Sequence, residues 1–295
     1  MKIKAAVVEK KGDPFVIKDD IELHDVGSTD VQVHMVASGI CHSDEAIRKG
    51  DASLVYPVIL GHEGAGIIEK VGSEVPNLKP GDHVVMAFYA DGLCDKCLQG
   101  IPTQCRNYAK YNLSGTRFDG DDQFQENGKH ISDMFNQSSF TTTTVTNQRN
   151  CVKVDKDADL RRVGPGYITG SGTVFNTWKT RPGQTIAVFG TGAVSLVAMI
   201  AGKISGWTCV IAVDIVPSRL ELAKELGATD TINSKDEDPV KKIQELTNGY
   251  GVDYAVDTTG LPAVMKPALD ALAQGGTRVA IAVTPHDFTL FDQIQ

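Results

Sequence analysis

The triplet Gly190-Thr191-Gly192 constrains the fold of this chain more than any other part of its sequence. It follows the apolar run 185–189 and precedes the apolar run 193–201, which predicts a strand, a tight turn and a helix. Glycines at such a turn allow the backbone to approach a pyrophosphate at the helix N-terminus. Gly-x-Gly alone is common in loops, but Asp214 ends the next apolar run and completes the pattern of a dinucleotide site.

Strand-like and helix-like segments alternate throughout the second half of the sequence. Residues 210–213, 229–232, 254–257 and 278–283 are short apolar runs, and residues 218–226 and 239–247 have helical patterns. This alternation predicts a doubly wound parallel sheet.

The first half has a different pattern, because its Val- and Ile-rich runs are separated by Gly, Pro and Asp. These runs are residues 5–8, 31–36, 66–71 and 83–87, and they predict a β-rich domain with many turns. We therefore expect an α/β chain of two domains, residues 1–155 and 156–295. Residues 112–128, rich in Gly, Asp and Asn, are expected to form a long surface loop.

The charge and composition limit the partners of the chain. It has 37 acidic and 29 basic residues, a formal net charge of −8, which argues against nucleic acid as a partner. No apolar run approaches about 18 residues and the first residues lack an apolar signal segment, so we expect no membrane partner and a cytoplasmic location. The six cysteines are then expected to be reduced.

Three of these cysteines, Cys94, Cys97 and Cys105, lie close together in the sequence. Thiolates at this spacing can share one tetrahedral Zn²⁺, and Asp91, three residues before Cys94, is the expected fourth ligand. A redox Cys-x-x-Cys pair is the competing interpretation, but it leaves the third cysteine unexplained. We predict a structural zinc site.

The dinucleotide motif also indicates which cofactor binds. The Asp214 carboxylate is expected to accept hydrogen bonds from the adenosine ribose and to repel a 2′-phosphate, which favours NAD over NADP. The alternative for Asp214 is a solvated loop acid. Ser195 replaces the third glycine of the motif and is expected to crowd the packing of helix against strand.

Two further motifs, Gly39-Ile40-Cys41-His42-Ser43-Asp44 and Gly61-His62-Glu63-Gly64-Ala65-Gly66, make the chain resemble the zinc-containing medium-chain alcohol dehydrogenases from Met1 to its end. The stretch Asn136-Gln137-Ser138-Ser139-Phe140 is most similar to the aryl-alcohol (benzyl alcohol) dehydrogenase branch. The resemblance implies a GroES-like catalytic domain, a Rossmann domain, zinc and NAD as cofactors, and an alcohol or aldehyde substrate. It also implies a homo-oligomer, with residues 287–294 where the dimer strand of the family usually begins.

The resemblance implies a role for each residue of these motifs. Cys41 and His62 would be catalytic zinc ligands, Glu63 an adjacent carboxylate able to join them, and Asp44 the partner that orients the histidine. Ser43 would bind the substrate hydroxyl and pass its proton outward. The expected cofactor-binding residues are Gly190, Thr191, Gly192, Ala193, Val194, Asp214, Arg219, His42 and Thr169.

The chain departs from the family at two points. The third catalytic zinc ligand of the family is a cysteine in a Gly-Cys-Gly turn, where this chain has Gly164-Pro165-Gly166. Glu63 is the nearest candidate to replace it, and a related polyol-dehydrogenase branch uses a Cys, His and Glu set. The chain also stops soon after its predicted fifth strand, so we expect a C-terminally truncated relative whose Rossmann domain lacks its last strand.

Two interpretations of the function follow from these departures. In the first, the chain is an NAD-dependent zinc alcohol dehydrogenase that acts on a primary, aromatic alcohol. In the second, it is a truncated and catalytically impaired relative that keeps the structural zinc and binds NAD weakly. We adopt the first. Because Pro165 supplies no metal ligand, we expect weak or absent alcohol oxidation in this chain and partial recovery in Pro165→Cys.

Overall fold

The computed structural model describes residues 1–52, 54–162 and 166–282. The chain divides into two compact units, Met1–Pro165 and Gly166–Gln295, whereas the boundary was expected after Asp155. The predicted fold class is confirmed, since a β-rich unit is followed by a parallel α/β unit.

The first unit consists of two five-stranded sheets and short helices. Its strands are β1 (Lys2–Val8), β2 (Val16–Leu23), β3 (Asp30–Gly39), β4 (Val58–Ile59), β5 (Glu63–Val71), β6 (His83–Met86), β7 (Phe124–Glu126), β8 (Lys129–Ile131), β9 (Thr143–Asn147) and β10 (Cys151–Val154). Its helices are α1 (His42–Lys49), α2 (Asp95–Leu98) and α3 (Tyr108–Asn112). The sheet orders are β4-β1-β2-β7-β8 and β10-β6-β5-β3-β9, and the strand pairs are antiparallel.

The core of the first sheet is formed by apolar residues that alternate with exposed residues along a strand. Ile3, Ala5 and Val7 of β1 are buried, while Lys2 and Lys4 are exposed and Ala6 is half-buried. They pack with Ile21 and Ile59 in one apolar cluster. This inward face fixes the register of the strands, because a shift by one residue would expose every apolar side chain.

The prediction of a long surface loop at residues 112–128 is wrong for much of that segment. Arg117, Gln123 and Phe124 are buried, and the segment includes β7. Arg117 Nη2 lies 2.6 Å from Asp30 Oδ2 and both side chains are 2% exposed. Gln123 Nε2 donates to Thr144 Oγ1 at 3.1 Å. Polar groups can be buried when they have partners, so a polar composition did not predict exposure here.

The second unit is a five-stranded parallel sheet with helices between its strands. The elements are α4 (Gly166–Gly172), a π-helical turn (Thr173–Trp178), β11 (Thr185–Phe189), α5 (Ala193–Ile204), β12 (Cys209–Asp214), α6 (Pro217–Leu226), β13 (Asp230–Asn233), α7 (Pro239–Leu246), β14 (Val252–Asp257), α8 (Pro262–Asp270) and β15 (Leu272–Ala280). The strand order is β13-β12-β11-β14-β15. The end of the strand expected at 278–283 lies partly outside the described residues.

Successive residues of the central strands face two separate apolar cores. In β11, Ile186 and Val188 belong to one core, while Ala187 and Phe189 belong to the other. A sheet covered on both faces explains why these strands read as continuous apolar runs in the sequence. The direction in which successive strands are added reverses between β11 and β14. Ligands of such sheets bind at the carboxyl ends of the strands, beside this reversal.

Both tryptophans of the chain lie in the second unit. The ring of Trp178 lies 6.1 Å from that of Trp207 and 4.5 Å from that of Tyr254. Tyr254 and Trp207 are stacked at 6.2 Å, so the three rings form one aromatic cluster. Among the described helices, none has the length and apolar character that crossing a membrane requires.

Candidate functional site

A buried carboxylate connects the start of α1 with the start of β5. Cys41 is the residue immediately before α1, and its backbone N–H donates to Asp44 Oδ2 at 2.9 Å. The other oxygen, Oδ1, accepts from the backbone N–H of Gly61 at 3.0 Å and lies 3.1 Å from His62 Nδ1. Asp44 is 1% exposed. The local fold therefore holds Cys41 and His62 near each other through one side chain.

Cys41, His62 and Glu63 each direct one metal-binding atom toward a common point, and these atoms all lie within 4.8 Å of one another. A thiolate, an imidazole and a carboxylate are all zinc ligands, so the donor set fits a catalytic zinc with a position left for substrate. In the described ranges no group donates a hydrogen bond to the Glu63 carboxylate. Burial raises the pKa of Glu63, and this effect outweighs the opposing charge of His62.

The protonation of the other two groups is coupled. Burial disfavours the charged imidazole of His62, but hydrogen bonds to Asp44 and Cys41 outweigh it and raise the pKa of His62 to about 10. Burial likewise opposes the Cys41 thiolate, but hydrogen bonds from His62 and Ser43 lower the pKa of Cys41. The thiolate is the form of Cys41 that binds metal, whereas the imidazole of His62 has to lose its extra proton before its nitrogen can bind metal.

Ser43 and His42, which were also predicted for this site, differ in how exposed they are. Ser43 Oγ lies 3.6 Å from Cys41 Sγ, and its residue is half-buried. His42 is exposed on α1. Pro165, on which the expectation of an altered zinc site rests, lies outside the described residues.

An aromatic wall beside His62 was not predicted from the sequence. The ring of Phe135 lies 5.2 Å from the imidazole of His62, Tyr108 lies 6.0 Å from Phe135, and Phe88 lies 5.4 Å from Tyr108. These residues are far apart in the chain, so only the fold brings them together. One feature of the sequence could have indicated this wall: the stretch after Phe135 resembles the aryl-alcohol dehydrogenases.

Asp91, Cys94, Cys97 and Cys105 form the second cluster of possible ligands, and their ligand atoms lie within 4.8 Å of one another. Cys94 Sγ and Cys97 Sγ are 3.5 Å apart. Asp91 Oδ1 accepts from the backbone N–H of Cys94 at 3.0 Å, and its Oδ2 accepts from Asn107 Nδ2 at 2.8 Å. Three thiols and one oriented carboxylate fit a closed tetrahedral zinc site.

The turn after β11 has the geometry of a phosphate-binding loop. Gly190 has a φ of +85°, and a Cβ there would lie 2.8 Å from Thr259 Cγ2, so both conformation and space require glycine. Gly192 precedes α5, and no atom lies within 4 Å of where its Cβ would be. At the start of α5, Ala193 is exposed and Val194 is half-buried, and the free backbone N–H groups of a helix N-terminus can bind an anion.

Asp214 is 7% exposed and is not a solvated loop acid. Its Oδ2 accepts from the backbone N–H and the hydroxyl of Thr191, both at 2.7 Å. Its Oδ1 accepts from the backbone N–H groups of Ile215 at 2.7 Å and Val216 at 3.0 Å. These bonds outweigh burial and lower the pKa of Asp214. A ribose hydroxyl would therefore have to share or replace the bonds from Thr191.

Ser195 is accommodated by a hydrogen bond. It is fully buried, and its Oγ lies 2.8 Å from Thr258 Oγ1, which connects α5 to the end of β14. The expected crowding is therefore replaced by a polar contact. Arg219 is exposed on α6, and Thr169 is exposed on α4.

Two families match the chain. Residues 27–156 match the alcohol dehydrogenase GroES-like domain, and residues 193–294 match the zinc-binding dehydrogenase domain. A probable alcohol dehydrogenase of Pseudomonas sp is 38% identical over 255 residues, which cover 84% of this chain and 80% of that protein.

Solved structures of dehydrogenases are similar to the chain over nearly its whole length. An alcohol dehydrogenase zinc-binding domain protein of Burkholderia ambifaria aligns with a TM-score of 0.93 at 41% identity, covering 98% of this chain and 79% of that one. Benzyl alcohol dehydrogenase of Acinetobacter calcoaceticus aligns with a TM-score of 0.92 at 39% identity, covering 99% of this chain and 80% of that one.

These similarities confirm the resemblance drawn from the sequence motifs, and they give no support to the alternative of a truncated, impaired relative. Enzymes of this kind are oxidoreductases with zinc and a nicotinamide dinucleotide as cofactors. The chain belongs to the zinc-binding medium-chain alcohol dehydrogenase family.

Proposed function

We propose that this chain oxidises a primary aromatic alcohol to its aldehyde with NAD as the hydride acceptor. One observation carries the proposal: the ligand atoms of Cys41, His62 and Glu63 converge within 4.8 Å beside an aromatic wall. The second cluster, formed by Asp91, Cys94, Cys97 and Cys105, is proposed to hold a structural zinc.

The side chains around the first cluster have separable roles. Cys41, His62 and Glu63 would hold the zinc, which would act as a Lewis acid on an alcohol hydroxyl, and bound NAD would be the hydride acceptor. Asp44 fixes the ring of His62, so that one imidazole nitrogen is left for the metal. Ser43 Oγ, 3.6 Å from Cys41 Sγ, is close enough to accept the substrate proton and pass it outward.

The preference for an aromatic substrate rests on Phe135. Its ring lies 5.2 Å from His62, a separation at which aromatic rings attract one another in tilted and offset arrangements. Tyr108 and Phe88 extend the apolar surface behind it. A flat ring attached to the reacting carbon could pack on this wall, and a similar protein of known structure is a benzyl alcohol dehydrogenase.

The preference for NAD rests on the negative charge of Asp214, which ends β12 and accepts hydrogen bonds from Thr191. A 2′-phosphate near this carboxylate would add like charges at close range. The residues proposed to contact the cofactor are Gly190, Thr191, Gly192, Ala193, Val194, Asp214, Arg219, His42 and Thr169.

The activity is tested with benzyl alcohol and NAD, by following formation of the reduced cofactor. We expect turnover, two zinc ions per chain by mass spectrometry, and a lower KM for benzyl alcohol than for its saturated cyclohexyl analogue. Phe135→Ala should raise the KM for benzyl alcohol and narrow this difference. Equal KM values for the two alcohols would contradict the aromatic preference, and absent turnover with two zinc ions bound would contradict the activity.

The cofactor preference is tested by calorimetric titration with NAD and NADP. We expect tighter binding of NAD, and a smaller difference in Asp214→Ser. Glu221→Gln removes an exposed charge from α6 and should leave the ratio unchanged. Equal or tighter binding of NADP by the unaltered chain would contradict the proposal.

We also propose self-association, as in other dehydrogenases of this family. Sedimentation at micromolar concentration should show a dimer or tetramer, whereas a monomer would contradict it. The residues expected to form the dimer strand, 287–294, lie outside the described residues.

A further inference from the structure

We propose that Gly39 is a positioning residue for Glu63: the absence of a side chain at Gly39 leaves the space in which the Glu63 carboxylate lies beside Cys41 and His62. The inference rests on the proposed role of Glu63 as a zinc ligand. It assigns a function to a residue that cannot itself bind metal.

The pairing of two strands places these residues opposite each other. Gly39 ends β3 and Glu63 begins β5, and they are direct partners in the antiparallel ladder. A Cβ at Gly39 would lie 2.1 Å from Glu63 Oε2, 3.0 Å from its Cβ and 3.1 Å from its Cδ. All three distances are shorter than the ordinary carbon contact of about 3.5–4.0 Å, and the distance to the carboxylate oxygen is by far the shortest. The Glu63 side chain therefore lies across the backbone of Gly39, in space that any other residue would occupy.

The backbone of Gly39 does not itself require glycine. Its φ is outside the left-handed region, and its partner in the ladder shows ordinary strand pairing. The three atoms nearest to the virtual Cβ all belong to Glu63. The backbone conformation at Gly39 therefore allows alanine, whose methyl group overlaps most with the Glu63 carboxylate and needs only a small shift of the Glu63 Cβ at 3.0 Å.

The backbone around Glu63 is held on both sides, so the strain would fall on its side chain. The N–H of Gly61 donates to Asp44 at 3.0 Å. The N–H of Gly64 lies 3.4 Å from Gln137 Oε1, and Gln137, which is fully buried, also donates to Ala87 O at 3.2 Å. Because the carboxylate is the far end of a flexible side chain, it moves more readily than this fixed backbone.

Displacement of the carboxylate would leave Cys41 and His62 as the remaining ligands among the described residues. Partners that orient metal ligands typically contribute 10–100-fold to metal affinity. We therefore expect Gly39→Ala to release metal from this site about 10–100-fold faster than the unaltered chain. Released metal is a readout that does not depend on catalysis.

The experiment measures metal loss to a chelator from the zinc-loaded chain, with a colorimetric indicator for released zinc. Five variants are compared: Gly39→Ala, Glu63→Ala, the double variant, Gly172→Ala and Cys97→Ser. Gly172 ends α4, and the nearest atom to its virtual Cβ is 3.8 Å away, so it is a matched glycine control. Cys97→Ser removes a ligand from the second cluster, so the phase of zinc release that changes in this variant belongs to that cluster. Cobalt-substituted samples report the ligand geometry through their visible absorption.

The expected result is faster metal loss and an altered cobalt spectrum in Gly39→Ala, with Gly172→Ala unchanged. In the Glu63→Ala background, Gly39→Ala should add less than about twofold, because the displaced carboxylate is already gone. Unchanged release in Gly39→Ala, or an equal effect in both backgrounds, overturns the inference. Unchanged release in Glu63→Ala also overturns it, while benzyl alcohol oxidation by the unaltered chain would still uphold the proposed function.

Discussion

Asp133, two residues after β8, should make the stability of the first unit depend on pH. It is 1% exposed, its Oδ1 accepts from the backbone N–H of Asn136 at 3.2 Å, and its Oδ2 has no partner among the described residues. Burial raises the pKa of Asp133 to about 7, despite that hydrogen bond and the nearby charge of Arg117. The perturbation is Asp133→Asn, which removes the ionisable group and keeps the shape.

The sign follows from the order of the two pKa values. The unfolded chain loses this proton near its ordinary pKa of 3.8, whereas the folded chain keeps it until about 7. The free energy of unfolding therefore falls as pH rises through this window, and the full loss is present above the folded pKa. A difference of about 3 units corresponds to ~4 kcal/mol, of which roughly 2.5 kcal/mol develops between about pH 5 and pH 8.

The assay is urea unfolding followed by circular dichroism at several pH values. The difference in free energy between Asp133→Asn and the unaltered chain should change by roughly 2.5 kcal/mol between about pH 5 and pH 8, in favour of the variant. The comparison uses the slope of the free energy of unfolding against pH, because any constant effect of the amide on stability cancels in that slope. Asp20→Asn, at an exposed position in β2, is the control. Parallel pH profiles for Asp133→Asn and the unaltered chain would refute the reasoning.

Three other substitutions test separate features. Cys97→Ser should release about one zinc per chain and lower the melting temperature, because a closed zinc site contributes to folding; zinc content and thermal unfolding measure this. Arg117→Met should destabilise the fold by about 3–5 kcal/mol, because Asp30 would stay buried without its cation; chemical unfolding measures this. Ser195→Ala should cost about 0.5–1.5 kcal/mol through loss of the bond to Thr258, also measured by chemical unfolding.

Each of these expectations has an outcome that contradicts it. An unchanged zinc count in Cys97→Ser would show that the second cluster is not a metal site. Lys4→Met breaks an exposed ion pair with Asp19 and should cost at most about 1 kcal/mol, so a similar cost for Arg117→Met would contradict the role of burial. A gain of stability in Ser195→Ala would show that the hydroxyl crowds the packing after all.

Local patterns predicted most of the second unit. The strand 185–189 was expected with the bounds that the structure has, and the helices expected at 218–226 and 239–247 begin and end within a residue of α6 and α7. Each of these segments has an apolar period, a turn and a breaker within about ten residues of sequence. Such signals depend on neighbouring residues only, so one sequence is enough to interpret them.

Long-range polar contacts were not predictable in the same way. Asp30 and Arg117 are 87 residues apart, and nothing near Arg117 indicates that a buried carboxylate will meet it. The same holds for the contact between Phe135 and His62. The cluster at Asp91–Cys105 was predictable from spacing, because its ligands lie on one short segment. The cluster of Cys41, His62 and Glu63 needed the resemblance to a family, because its ligands come from two separate elements.

The location of Trp178 and Trp207 gives this chain an optical label of its own. Both indoles belong to the second unit, so the intrinsic fluorescence of tryptophan reports on that unit and contains no signal from the first unit. Emission can therefore follow unfolding of the second unit, while circular dichroism follows both units. Recording the two signals for Asp133→Asn across pH then shows whether a change of stability in the first unit reaches the second, without any dye or added tag.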